Sequence, residues 1–151
     1  MPFPANHRLR LGRFSEPGRL YSLTTTVHLR APALLDLRAA RAVVGQMRLV
    51  EQEGVARSLA WVVMPDHVHW LVELQQGTLG GLMGRFKSRS AKAVNALSGR
   101  EGRFWQSGFY DRAVRREDDI RAIARYIIAN PIRAGLVERA GDYPHWDAVW
   151  L

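Results

Sequence analysis

Apolar positions along this chain recur first at every second residue, then at helical spacing, and each change of period marks an element. Residues 20–28 are rich in β-branched and aromatic side chains, and the pattern predicts a strand. Its faces separate into Tyr21, Leu23, Thr25 and Val27 on one side and Ser22, Thr24, Thr26 and His28 on the other. Pro32 then opens a helix over residues 33–53, in which Leu34, Leu37, Val43, Val44, Met47 and Val50 recur near helical spacing, and Gly54 stops it. Residues 57–64 read as a second strand. Pro65 and Asp66 supply a tight turn into a third, so the pair forms a hairpin. In the third strand Val68, Trp70, Val72 and Leu74 fill one face, while His67 and His69 project together from the other.

Residues 78–96 read as a helix with Leu79, Leu82, Met83, Phe86, Ala93 and Leu97 inward, and 98–102 as a loop. Residues 104–114 contain the expected fourth strand. Acids at 117–119 suit a helix N-terminus, and that helix runs to about residue 130, where Pro131 ends or kinks it. The order βαββαβ followed by a further helix predicts the α+β class: a ferredoxin-like sandwich on an antiparallel sheet, with the histidine strand central beside the first. The whole chain, 1–151, reads as a single domain, with an irregular basic arm at 1–18 and a C-terminal tail at 140–151.

Charge adds a partner class to this picture. The formal net charge is +8 and the pI about 10.9, and the basic residues are twenty Arg against two Lys, Lys87 and Lys92. GC-rich codon usage also favours Arg over Lys, so the net charge carries the argument. It points to a polyanion, a nucleic acid or an anionic membrane surface. With no cysteine, disulfides, thiolate zinc sites and thiol nucleophiles are excluded. No signal-length apolar stretch or membrane span occurs, and a soluble cytoplasmic protein, associated with the nucleoid if it binds DNA, is the expectation.

Two segments carry candidate chemistry. Paired neutral imidazoles at His67 and His69 suit a divalent metal, although a lone His-x-His also fits a turn cap and a half-buried ring. Tyr126 and Asn130, four apart, share one face of a helix. An amide oxygen at Asn130 is a hard ligand suited to Mg²⁺ or Mn²⁺, yet taken alone Tyr126 could cap a core and Asn130 the helix end.

Together the segments resemble a family. Residues 63–71 (VMPDHVHWL) look like the His-hydrophobic-His motif of single-tyrosine transposases. Residues 104–112 (FWQSGFYDR), 126–137 (YIIANPIRAGLV) and 142–144 (DYP) resemble the branch of that family associated with repetitive extragenic palindromes (REP) in bacteria. The likeness spans roughly residues 20–146, in order. It implies that the helix carrying Tyr126 is catalytic and that Tyr126 is the nucleophile. A Mg²⁺ or Mn²⁺ ion would sit on His67, His69 and Asn130, the last standing where the wider family often has Gln, one methylene longer. The implied reaction is cleavage and rejoining of single-stranded DNA hairpins through a 5′-phosphotyrosine. Insertion-sequence relatives act as dimers with exchanged tyrosine helices and the REP branch as monomers, so monomer and homodimer both stay open. Tyr21, Tyr110 and Tyr143 compete with Tyr126 as nucleophile; only Tyr126 has an Asn one turn away.

Phosphate contacts are expected from Arg85, Lys87, Arg89, Arg115, Arg116 and Arg133, with Arg8, Arg10 and Arg13 of the arm in support. Trp105 and Phe109 either stack extruded bases or belong to the core. Two rivals stand beside the cleavage reading: a non-catalytic hairpin DNA- or RNA-binding regulatory module, and a metal-dependent phosphoesterase acting through water. The first needs neither the histidines nor Tyr126; the second needs only the histidines.

Overall fold

The computed structural model describes residues 15–115 and 118–150. Most of the basic arm, including Arg8, Arg10 and Arg13, and also Arg116 and Glu117, lies outside them. The strands are β1 (Leu20–Thr26), β2 (Ala56–Val63), β3 (His67–Leu74), β4 (Tyr110–Ala113) and β5 (Trp146–Ala148). The helices are α1 (Leu37–Gln52), α2 (Leu79–Ser98), α3 (Ile120–Ile128) and α4 (Asn130–Arg133).

All five strands join one sheet in the order β4-β1-β3-β2-β5, with every pairing antiparallel. This is the expected ferredoxin-like arrangement, with the histidine strand β3 central between β1 and β2. The segment expected as a tail adds the edge strand β5. Its residues Trp146 and Ala148 pair with Val62 and Ala60, and the Tyr143 hydroxyl donates to the Val63 carbonyl at 2.6 Å.

The pleat sorts the sheet into two faces. On one, Leu23, Val68, Trp70, Val72 and Leu74 pack against Ala40, Val43 and Met47 of α1 and Leu82, Met83 and Phe86 of α2. On the other, Ala60, Val62 and Leu71 meet Ala124 and Ile127 of α3 and Ala148 of β5. Because α1 and α2 share the first face, the histidine face is left to α3.

Element ends follow side-chain capture of backbone N–H groups. Asp36 accepts from Arg38 N and Ala39 N, so α1 starts at Leu37 and not at Ala33. Residues Ala33–Leu35, expected as helix, form a separate 3-10 turn. Thr78 and Asp119 cap α2 and α3 in the same way. The fourth strand occupies only Tyr110–Ala113 of the expected 104–114. Before it, Trp105 turns inward to stack on Phe86 and donates to Ser90 Oγ at 2.9 Å. Trp105 and Phe109 are thus core residues, and stacking of bases on them is withdrawn. No helix among the described residues is long and apolar enough to cross a membrane.

Candidate active site

Register decides what faces the histidines. Opposite His69 stand Thr24 on β1 and Val62 on β2, and Thr24 in turn faces Tyr110 on the edge strand β4. Residues directly opposite in a ladder share a face, so Tyr110, Thr24, His69 and Val62 form one row under α3. His67 lies two residues along the same face, opposite Thr26.

The two imidazoles have different surroundings. His67 Nδ1 is 2.8 Å from Asp66 Oδ1. Since a carboxylate only accepts, Nδ1 carries a proton in this contact, and Nε2 is the ring nitrogen left facing away from Asp66. His69 is set deeper, with Nε2 3.1 Å from Ser22 Oγ. Burial, together with the positive fields of His67 and Arg133, pulls the pKa of His69 down to about 4, so this ring is neutral at physiological pH. The His69 ring therefore meets the first requirement of a metal ligand, an unprotonated nitrogen.

Over this face runs α3, whose amphipathic sequence buries Ala124 and Ile127 and leaves Tyr126 60% exposed. A cleft of about 500 Å³ opens between helix and sheet. Ser22, His69 and Tyr110 line it from below and Asp119, Ile123 and Tyr126 from above, with Arg112 at its side. His69 and Tyr126, brought from positions 57 residues apart, share this cavity. Arg133 Cζ stands 3.7 Å from the centroid of the Tyr126 ring, a cation–π stack that places a guanidinium at the mouth of the cleft.

Asn130 is reached through a break in the helix. α3 ends at Ile128, and α4 starts at Asn130 with Pro131 in its first turn. Proline lacks an N–H, so the ladder is interrupted, and the helix ends ahead of Pro131. Tyr126 and Asn130 lie on either side of that break. Among the described residues no group of three His, Cys, Asp or Glu could hold a metal ion, so among them a third ligand beside the two histidines would be an amide, a hydroxyl or a carbonyl.

The competing tyrosines separate by their bonds. Tyr21 is buried and its hydroxyl accepts from Glu16 N at 2.9 Å. Tyr143 gives its proton to the Val63 carbonyl, and burial pushes its pKa up. Tyr110, on the sheet wall, shares the cleft with Tyr126.

The expected phosphate contacts fall into groups. Arg85 and Arg89 on α2 both reach Glu53 Oε1, at 3.5 and 2.7 Å. Lys87 Nζ turns toward the chain and donates to the carbonyls of Gln106, at 2.8 Å, and Gly108. None of these three lines the cleft. Arg115 borders a neighbouring hollow with Arg19 and Arg112, and Arg133 stacks on Tyr126, which lines the cleft. Sequence reading missed Ser22 and Arg112, and it used Asp66 only as a turn residue. The polar face of β1 pointed to Ser22, but register alone brings it to His69.

The family description "Transposase IS200 like" matches residues 26–130, which hold every element from β1's last residue to the start of α4. The chain belongs to this family. It is similar to the REP-associated tyrosine transposase of Escherichia coli (strain K12), with 31% identity over 85 residues, 56% of this chain and 50% of that protein. It spans about half the length of the curated relatives it matches. Among solved structures, a REP-associated tyrosine transposase bound to a REP hairpin superposes with a TM-score of 0.69 at 25% identity, covering 89% of this chain and 79% of that one. The IS200-like match thus includes both the histidine strand and the tyrosine helix, the two walls of the cleft.

Proposed function

We propose that this chain cleaves and rejoins single-stranded DNA at palindromic hairpins, with Tyr126 as nucleophile and a 5′-phosphotyrosine as intermediate. The observation that carries the reading is the cleft in which an exposed tyrosine on α3 faces a neutral histidine on the central strand. The hairpin substrate is proposed from the similar REP-associated transposase, described as bound to a REP hairpin.

The donor set fits a Mg²⁺ or Mn²⁺ ion: two imidazoles, His67 and His69, with the Asn130 amide oxygen on the segment that follows the tyrosine helix. When bound, such an ion supplies Lewis acidity at a non-bridging phosphate oxygen. The chain's own groups do the rest. The Tyr126 oxygen attacks phosphorus as the bond from phosphorus to the 3′-oxygen breaks. The tyrosine loses its proton and the departing 3′-oxygen gains one. One phosphodiester is exchanged for another, so a 3′-hydroxyl can run the step backwards onto a second strand. Arg133, stacked on the nucleophile's ring, places positive charge where the phosphorane gathers negative charge.

The test uses labelled single-stranded hairpins taken from inverted repeats beside the gene, with Mn²⁺ or Mg²⁺, and looks for a covalent protein–DNA adduct. Tyr126→Phe is expected to abolish the adduct and keep hairpin affinity within about two-fold, and His67→Ala to abolish it as well. Cleavage that persists in Tyr126→Phe would move the reading to activated water, and tight binding without any cleavage would move it to a regulatory module.

A further inference from the structure

The turn that leaves β1 departs from ordinary backbone space. Leu29 and Arg30 both hold positive φ, 57° and 53°, a left-handed conformation that residues with a Cβ enter at a cost. The Leu29 side chain is 85% exposed, so its own burial does not offset that cost. Two hydrogen bonds dock the turn on the β2–β3 hairpin. Val27 N donates to the Asp66 carbonyl at 2.8 Å and Leu34 N to the Pro65 carbonyl at 2.9 Å. The chain from 27 to 34 is bent around the hairpin tip, and the residue it delivers there is Arg30.

Arg30 Nε donates to Asp66 Oδ2 at 3.3 Å, while Asp66 Oδ1 holds His67 Nδ1 at 2.8 Å. One carboxylate grips the guanidinium with one oxygen and the imidazole with the other. The Arg30 side chain is 52% exposed, and ion pairs this open contribute little to stability. A strained turn built to make a weak pair is better explained by what the pair orients.

We propose that Arg30 is a positioning residue for His67: it locks the rotamer of Asp66, and Asp66 holds the imidazole in one orientation with its proton on Nδ1, so that Nε2 is the donor atom. This rests on the reading of His67 as a metal ligand. Partners one shell behind a ligand fix its tautomer and tilt, and their loss typically lowers metal affinity or activity by about 10- to 100-fold. Arg30 stands one step further out, so its effect is smaller and runs wholly through Asp66.

The experiment needs no DNA. Mn²⁺ is titrated into the full chain by calorimetry, and the ring-nitrogen shifts of His67 are read by ¹⁵N NMR in the metal-free protein. Asp66→Asn is expected to weaken Mn²⁺ binding about ten-fold and Arg30→Met about three-fold, with Arg30→Lys in between Arg30→Met and the wild type. The double variant should be no weaker than Asp66→Asn alone, because both changes break one chain of contacts. In Arg30→Met the His67 shifts should move toward a mixture of tautomers, which a merely structural role would not produce. The proposal is overturned by wild-type Mn²⁺ affinity and unmoved shifts in Arg30→Met, by losses that multiply in the double variant, or by an effect seen only on DNA affinity. His67→Ala separates the two levels. If it binds Mn²⁺ as tightly as the wild type, the metal reading itself fails; if it loses the ion while Arg30→Met does not, only the role of Arg30 does.

Discussion

Lys87 shows how far a residue's role depends on what it meets. In the sequence it stands between Arg85 and Arg89 on an exposed helix surface, as one more cation for a phosphate. In the fold its amine turns under the 104–109 loop, donating to the Gln106 and Gly108 carbonyls. Burial, with Arg103 nearby, lowers its pKa from 10.5 to about 8. The sign follows: between pH 8 and 10.5 the unfolded chain holds the extra proton and the folded chain does not, so this residue's contribution to stability rises with pH across that window. Urea midpoints measured from pH 7.5 to 10.5 should therefore climb more for the wild type than for Lys87→Met, and parallel curves would contradict the assignment. His67, His69 and Tyr126 were legible as candidates because their chemistry and spacing announce them. Ser22, Arg30 and the carbonyls under Lys87 were not, because no local pattern names a partner dozens of residues away.

At the scale of the element, the site depends on how α3 is started and stopped. Asp119 holds the first turn by accepting from Ala122 N at 3.1 Å, and the break before Pro131 falls between the proposed nucleophile Tyr126 and the candidate amide ligand Asn130. Removing such a cap costs about 1 kcal/mol. In a chain of this size that corresponds to roughly 2–4 °C in Tm. Asp119→Ala should show that loss by calorimetry, and adduct yield should fall more than hairpin affinity, since the tyrosine rides on the loosened turn. An unchanged Tm would mean that the cap is redundant. Strands β1 to β4, the hairpin and the helix break before Pro131 were readable from period, Pro and Gly. The helix start at Leu37 was not, because Pro32 and the apolar run at 33–35 mimic an earlier one and only Asp36 decides between them. β5 was also missed, since three residues carry too little pattern to stand out.

At the scale of the molecule, charge and layering set the terms for a polyanion. The surplus of positive charge is spread over the chain, yet much of it is already engaged: Arg85 and Arg89 by Glu53, Arg112 by Asp118 at 3.4 Å and Arg30 by Asp66. Arg133 has the Tyr126 ring as its partner and stands beside the cleft. Hairpin affinity measured against salt should therefore lose about 0.7–0.9 from its slope in Arg133→Ala, one phosphate's share. Arg85→Ala and Arg89→Ala should leave the slope unchanged. Equal losses from all three would show that the pairs on α2 open to the DNA.

Composition, period and motif together determined the fold class, the central place of the histidine strand, the family and the identity of the residues with chemistry to offer. These properties are local or additive: alternation follows from strand geometry, helical spacing from 3.6 residues per turn, and charge from a count. Which residues meet was decided only by the tertiary structure. Sheet register brought Ser22 and Tyr110 to His69, the sharing of one face by α1 and α2 left the other to the tyrosine helix, and a strained turn carried Arg30 to Asp66. Such contacts join segments far apart in the chain, and their partners are selected by packing of the whole, which no single stretch of sequence contains.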